Sequence, residues 1–210
     1  MKKFLSVCSI VAVLLSGCGS DFPGQPSDVV RVQQNKYPSG NLKEEIPYNK
    51  ESRIHGLKRT FYDNGQLKTE ENYKNGKKDG VRKQYSREGQ LLEEMNFKDN
   101  RGYGNFVRYY NNGNIRAKGK LLNFDEDGMP EFEGSYNEYY QDGKPALEYN
   151  FDNKGKQDGI QKTFNEDGSL ESEENYKNGI KNGIFKYYKN GEIVKEEEFK
   201  NGVLIQKPKN

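Results

Sequence analysis

Apolar and aromatic residues recur along the chain at fixed distances from a series of glycines. Two residues after each of these glycines stands a mostly aliphatic position, and eight residues after it stands a large apolar or aromatic one. The two positions are an even number of residues apart, so a β-strand places both on one face. The glycines of this first series are Gly40, Gly65, Gly89, Gly113, Gly143, Gly168 and Gly191.

A second glycine series predicts a second strand in each unit. Five residues after each member stands Phe or Tyr, and the residue directly after it has matching parity and is mostly apolar. Asn-Gly and Asp-Gly pairs recur at the joints, and these residue types favour tight hairpin turns. A helix would lose about 1 kcal/mol at each interior glycine, so the pattern predicts an all-β chain. This second series comprises Gly56, Gly80, Gly104, Gly134, Gly159 and Gly183.

The repeated unit resembles the bacterial variant of the MORN (membrane occupation and recognition nexus) repeat. The segment Tyr62 to Tyr85, YDNGQLKTEENYKNGKKDGVRKQY, carries the resemblance, and Asn165 to Tyr188 matches apart from its first residue. The resemblance implies an elongated, single-sheet array of about seven β-hairpin repeats over residues 37-205. About fourteen strands at ~4.8 Å spacing would make an array of roughly 65 Å.

Three features depart from the repeat pattern. The chain has no Trp, although the family often has one two residues after the second glycine. The fourth unit is longer than the others between its two glycines, so an exposed loop is predicted at residues 123–133. Pro145 stands where Leu is expected, which predicts a bulge or a kink.

Residues 1-17 have the pattern of a secretory leader. Lys2 and Lys3 precede the apolar stretch Phe4 to Leu15, which is too short to span a bilayer as a helix. The sequence Leu-Ser-Gly before Cys18 resembles the lipobox of bacterial lipoproteins. The resemblance implies cleavage before Cys18, a diacylglyceryl thioether on its sulfur and a further acyl chain, such as palmitate, on its amine. An ordinary secretory leader that contains a cysteine is the alternative.

Residues 18-36 are predicted to form a flexible tether. Gly, Pro, Ser and Gln dominate there without a sustained period, and about 18 flexible residues reach roughly 25 Å. A short cap strand at residues 28–34 is the alternative. We expect a protein that is lipid-anchored in the bacterial cell envelope and faces the periplasm or the exterior; Gly19 after the cysteine favours the outer membrane. Residues 206-210 are predicted to be a C-terminal tail.

Composition argues against several function classes. Hydrophobic residues make up 31% of the chain and charged residues another 31%, so burial depends on the 15 Tyr and 11 Phe. Without Lys2 and Lys3 the chain has 32 basic residues against 32 acidic ones. A neutral chain lacks the basic footprint of a nucleic-acid-binding protein, so we expect no nucleic-acid partner.

Few residues have the chemistry that catalysis or metal binding needs. His55 is the only histidine and is predicted to be a turn residue, while Cys8 leaves with the leader. His-based triads and His/Cys zinc sites therefore lack their residues, and the many carboxylates select no acid–base pair. Asp125-x-Asp127-Gly128 resembles part of a calcium loop but lacks its other ligands. We predict no enzyme activity, no cofactor, no metal and no small-molecule substrate.

A second aromatic face is the predicted binding site. Its residues have the parity opposite to the first aromatic column, and on a one-layer sheet they would form a surface for protein or glycan. The alternative is that the sheet curls and partly buries both faces. The predicted binding face comprises Phe106, Tyr110, Tyr136 and Tyr140, and Phe185 and Tyr187 repeat the pattern near the C-terminus.

These features predict a membrane-anchored, non-catalytic lipoprotein whose repeats form a macromolecular interaction scaffold with a protein partner. The family resemblance adds an alternative, because part of the family has a toxin–antitoxin label. It implies an antitoxin or immunity-like protein that neutralises a toxin at the envelope. A cell-wall glycan-binding module is the third possibility, and the absence of Trp counts against it.

Overall fold

The structure is a computed structural model that describes residues 22–206. Within these residues all regular secondary structure is β, which confirms the predicted all-β array of hairpin repeats. The strands are β1 Arg31–Lys36, β2 Leu42–Tyr48, β3 Gly56–Phe61, β4 Leu67–Lys74, β5 Lys77–Tyr85, β6 Leu91–Lys98, β7 Arg101–Tyr109, β8 Ile115–Phe124, β9 Pro130–Tyr139, β10 Pro145–Phe151, β11 Gly159–Phe164, β12 Leu170–Lys177, β13 Ile180–Lys181, β14 Gly183–Lys189, β15 Glu192–Lys200 and β16 Val203–Gln206.

The chain forms two compact units, and the division between them falls within β6. The described part of the first unit is residues 22–90 and 97–100, where β1 to β5 pair antiparallel in chain order. The second unit contains residues 91–96 and the chain from Arg101. There β7 to β12 pair antiparallel in chain order, β12 pairs with β14, and β15 and β16 follow. The short β13 pairs with β12.

Five-residue turns explain the first glycine series. In the first repeat the Tyr37 N–H donates to the Asn41 carbonyl at 2.8 Å, and the Gly40 N–H donates to the Tyr37 carbonyl at 2.9 Å. Gly40 has a φ of 91°, a conformation that glycine adopts at little cost. The same bonds close the turn at Gly113, so the glycine spacing sets the hairpin spacing.

Strand register places the buried side chains differently from the predicted alternation. Phe106 and Phe185 each stand two residues after a glycine of the second series. Phe106 lies opposite Gly119, and Phe185 lies opposite Glu197. These two rings are 1% and 0% exposed. The register is unbroken along β7 but skips Arg116 on β8, so this extra residue interrupts the alternation between Ile115 and Leu121. Phe106, opposite Gly119, lies on the same face as Leu121. The predicted parity of the second strands was therefore wrong at Phe106.

An aromatic cluster forms the core of the second unit around the longer hairpin. The Phe106 and Phe132 rings meet edge to face with centroids 5.2 Å apart, and the Tyr136 ring lies 4.2 Å from that of Phe132. Leu121 is fully buried beside them. At Gly119 a Cβ would lie 2.9 Å from the Tyr136 ring, so glycine there lets the ring pack against the backbone.

The predicted exposed loop at residues 123–133 is mostly strand. β8 and β9 extend through it, and only a short turn at Asp125 to Met129 separates them. The Asp125 carboxylate accepts the N–H groups of Asp127 and Met129 at 3.0 and 2.8 Å, so it caps the turn. The prediction of a loop was wrong because Phe132 supplies an apolar anchor for a longer hairpin.

The predicted tether differs from the structure over its described part. Its last residues, Arg31–Lys36, form β1 and pair with β2. The preceding segment 22–30, here called the N-terminal strap, packs on the first repeats. The Gln25 amide donates to the Leu57 carbonyl at 2.8 Å and accepts the Leu57 N–H at 2.7 Å. Val29 is buried, so the strap covers the end of the array as a capping segment does.

Candidate functional site

The residues predicted for a binding face do not form one exposed surface. Phe106 is in the core of the second unit, and Tyr136 packs against Phe132 and over Gly119. Tyr110 and Tyr140 lie at hairpin turns. Their hydroxyl groups donate to the backbone carbonyls of Tyr139 and Phe164 in the next hairpin, at 2.8 and 2.6 Å. Cys18, the predicted lipidation site, lies outside the described residues.

The tyrosine hydroxyl bonds repeat in the first unit and have a structural role. Tyr37 and Tyr62 donate to the carbonyls of Phe61 and Tyr85, each at 2.8 Å. Each bond ties a hairpin turn to the strand end of the following hairpin, a spacing of 23 to 24 residues. Because contacts between neighbouring repeats set the stability of repeat arrays, these tyrosines act as connections between repeats.

A row of carboxylates and tyrosines lies on the buried face of the second unit. Tyr136 and Tyr149 are register partners, as are Glu174 and Gln161. Tyr187 lies opposite Ser172, two residues from Glu174 on β12. All of these tyrosines and glutamates are partly buried. We call this set the carboxylate–tyrosine face; it comprises Tyr136, Glu138, Tyr149, Glu174, Tyr176 and Tyr187.

Hydrogen bonds and pKa shifts show that these groups are close together. The Tyr176 hydroxyl donates to the Glu174 carboxylate at 2.9 Å, and the Tyr136 hydroxyl donates to Glu138 at 2.5 Å. Burial, then the hydrogen bond and charge of Glu174, raise the pKa of Tyr176 to about 12. Burial and the charges of Glu174 and Glu138 raise the pKa of Tyr149. These tyrosines therefore stay neutral beside the carboxylates at ordinary pH.

The equivalent carboxylate of the first unit has cationic partners. Glu71 accepts Lys78 Nζ at 2.9 Å, Arg82 Nε at 3.1 Å and the Tyr73 hydroxyl at 3.1 Å. Burial opposes the charge of Glu71, but the hydrogen bonds and charges of Lys78, Tyr73 and Arg82 lower its pKa. The same position in a repeat can thus hold a carboxylate whose charge is compensated within the chain.

The last repeat compensates its carboxylate in another way. Lys195 Nζ lies 2.9 Å from the Glu197 carboxylate and 4.9 Å from the centroid of the Tyr187 ring. The ammonium group therefore combines an ion pair with a cation–π contact. This arrangement shows how the face accommodates a lysine side chain.

His55 lies in the connection between β2 and β3, directly before Gly56, and its side chain is buried. Its Nε2 is 3.1 Å from the Asp28 carboxylate of the strap, and its Nδ1 is 3.3 Å from the Asn75 side-chain oxygen. His55 thus joins the strap to the turn of the second repeat. The sequence has no periodic signal for this contact, since Asp28 lies outside the repeats.

An open cleft of about 660 Å³ adjoins His55 on the same side. Asn49 is buried, and its side-chain amide oxygen accepts hydrogen bonds from the backbone N–H groups of Glu51 and Arg53. These bonds stabilise the shape of the cleft. The lining of the cleft is polar apart from Val30 and comprises Asp28, Val30, Asn49, Lys50, Glu51, Arg53 and Asn75. The hydrogen bonds to the Asn49 side chain therefore stabilise the local fold.

Metal-ligand clusters and membrane-spanning helices are both absent from residues 22–206. No group of three or more His, Cys, Asp or Glu side chains in this part of the chain is placed to hold a metal ion. No helix in the described part is long and apolar enough to cross a membrane.

Comparison with protein families identifies the repeat. The model described as MORN repeat variant matches residues 32–50, 54–75, 78–99, 132–153, 157–178 and 181–201. These six matches cover more than half of the chain. The gap between the third and fourth matches holds β7, β8 and the turn at Asp125 to Met129, so this segment supplies Phe106 and Leu121 of the core. A comparison with curated proteins gave no match.

Proposed function

This chain belongs to the MORN repeat variant family, and we propose that it is a membrane-anchored, non-catalytic envelope lipoprotein whose hairpin repeats bind a protein partner. Exposed apolar side chains at the C-terminal end of the array carry the proposal. Single exposed apolar residues are common on proteins, but seven of the twelve large apolar side chains that are exposed among the described residues lie on β13 to β16. The group lies on β13 to β16 and comprises Ile180, Ile184, Ile193, Val194, Val203, Leu204 and Ile205.

Strand β16 is the last strand of the described array. It pairs with β15 through Phe199 and Leu204 and through Lys200 and Val203. A strand at the end of a sheet offers backbone N–H and C=O groups to an added strand. Val203 is 64% exposed, so apolar side chains accompany this backbone edge. An extended segment of a partner protein fits both features.

Repeat geometry gives further support to this end as a docking place. The Gly179 N–H donates to the Gln157 carbonyl at 2.7 Å, and the Gly202 N–H donates to the Lys181 carbonyl at 2.8 Å. Each bond joins an Asn-Gly turn to the strand start of the preceding repeat. Leu204 occupies in the final repeat the position that Lys181 occupies in the one before. A partner backbone would therefore continue an interface that the array already uses.

The anchor is proposed on the lipobox pattern at Cys18, and the strap sets how far it reaches. Phe22 is the fourth residue after Cys18, and four residues span at most about 14 Å. With the strap packed on the array from residue 22, the first repeats would lie close to the membrane instead of at the end of a long tether.

Cross-linking and affinity capture from intact cells test the proposed binding. We expect one stoichiometric protein partner, which is lost in the double variant Val203→Lys, Ile205→Lys and kept in the control Tyr103→Lys on β7, whose ring is also exposed. Retention by peptidoglycan alone would contradict a protein partner and favour the glycan-binding alternative. A neighbouring toxic gene product as the partner would identify an immunity-like role.

The anchor needs a separate test. Cys18→Ser should move the protein from the detergent phase to the aqueous phase on phase partitioning, because the acyl chains are lost. Continued partitioning into detergent would refute lipidation at Cys18.

A further inference from the structure

Glu71, Glu174 and Glu197 occupy the same position in their repeats, and among the described residues Glu174 is the one of these three without an ion pair. The side chain is partly buried, and among residues 22–206 no lysine or arginine lies within ion-pair distance of it. Its closest described partners are the hydroxyl groups of Tyr176 and Tyr187. These hydroxyl groups donate hydrogen bonds but carry no positive charge, so the carboxylate can still pair with a cation.

The position-matched carboxylates show which cations are missing. Glu71, at the same place in the second repeat, contacts Lys78 and Arg82. Around Glu174 the residue equivalent to Arg82 is Phe185. The residue equivalent to Lys78 is Lys181, whose ammonium lies 4.9 and 5.0 Å from the ring centroids of Phe185 and Phe199. At Glu174 the arginine position holds a phenylalanine and the equivalent lysine lies against two aromatic rings, so Glu174 has neither of the ion pairs that Glu71 has.

The last repeat shows what would fill the position. Lys195 pairs with Glu197 and covers one side of the Tyr187 ring. One repeat earlier, the residue equivalent to Lys195 is Ser172, whose short, uncharged side chain forms no ion pair with Glu174. An ammonium group brought by another molecule could lie against Glu174 with tyrosine rings around it, in the manner of Lys195.

Two further observations agree with a cationic ligand. Glu138 is a second carboxylate on the same face whose described hydrogen-bond partner is a tyrosine hydroxyl, and its charge and that of Glu174 both act on Tyr149. The described second unit has 15 Lys and Arg against 21 Asp and Glu, whereas the described first unit has 15 against 10. The excess of negative charge therefore lies in the unit that contains the face, and it attracts basic partners.

We propose that Glu174 and Glu138, framed by Tyr149, Tyr176 and Tyr187, form a binding site for lysine side chains of a basic segment in the partner protein. The proposal rests on the proposed function, because it names the chemistry of that partner. Carboxylates bind the ammonium group and tyrosine rings contact its methylene and ammonium ends. The site selects basic extended polypeptide over neutral glycan.

Fluorescence anisotropy with a labelled hexalysine peptide and the detergent-solubilised full-length protein tests the site. We expect Glu174→Gln to weaken the affinity about tenfold, which corresponds to about 1.4 kcal/mol, and the double variant with Glu138→Gln to weaken it further. Glu192→Gln is the matched control, because it removes the same charge from an exposed position in the same unit. It should change the affinity less than twofold, and all variants should keep the wild-type far-UV circular dichroism.

Either of two results would overturn the site. Equal loss in Glu174→Gln and Glu192→Gln would mean that the peptide responds only to net charge. Unchanged affinity in the Glu138, Glu174 double variant would mean that it binds elsewhere. Capture of a cellular partner that persists in this double variant would reject the site and leave the proposed function intact. Glu174-dependent hexalysine binding without any cellular partner would reject the proposed function instead.

Discussion

Truncation of Phe106 distinguishes a core residue from a binding-face residue. The ring is 1% exposed, meets the Phe132 ring edge to face at 5.2 Å and lies 5.0 Å below the Arg108 guanidinium. Phe106→Ala should cost about 3–5 kcal/mol, since removal of a buried ring loses its transfer free energy and leaves a cavity. Loss of the aromatic pair adds to this within the same range.

Native-state hydrogen exchange is the appropriate assay because the chain has two units that need not unfold together. Amide protection in β7 and β8 should fall on the order of 10²–10³-fold, while protection in β3 and β4 of the first unit stays unchanged. The control Tyr103→Ala removes an exposed ring from the same strand and should cost no more than about 0.5 kcal/mol. A loss below about 1 kcal/mol for Phe106→Ala would refute the core assignment.

Three smaller perturbations test the connections within the array. Gln25→Ala removes both bonds to Leu57, so the Leu57 amide should exchange faster, by an amount that corresponds to about 1–3 kcal/mol; unchanged exchange would mean that the strap is not docked. Tyr140→Phe removes the bond to the Phe164 carbonyl and should lower the free energy of unfolding, measured by urea titration; an unchanged or increased free energy would contradict the connecting role. Because the folded-state pKa of Glu71 lies below its ordinary 4.5, its contribution to stability is present above about pH 4.5 and is lost as the pH falls through the folded-state pKa. Glu71→Gln should therefore flatten the fall in Tm as the pH drops below about 4.5, and an unaltered slope would contradict the compensated charge.

The hairpin array could be predicted from the sequence because each of its turns has a local signal. Gly40 and Gly113 stand at positive φ in turns closed by short-range bonds, and residue type alone reports such positions. The register within the hairpins has no equally local signal. The extra residue Arg116 on β8 depends on how the two strands fit together, so simple alternation assigned Phe106 to the wrong face.

The strap and the carboxylate–tyrosine face were not predictable for a related reason. Gln25 contacts Leu57 across 32 residues, and nothing periodic links them. Glu174 looks like any other charged residue of the repeats. Glu174 is distinctive because no cation of the described residues forms an ion pair with it. This depends on Phe185 and Lys181 in adjacent strands. Comparison of equivalent repeat positions could have found it, because Glu71 has a matching arginine and Glu174 has a phenylalanine.

Site-specific photo-cross-linking in intact cells tests the binding function most directly. A photoreactive amino acid at Val203, on the terminal strand, should give one discrete cross-linked protein band. The same amino acid at Tyr103, which is exposed on β7 of the same unit, should give none. Equal cross-linking from both positions, or no cross-linked protein from Val203, would contradict the account of a repeat array that holds its partner at the C-terminal end.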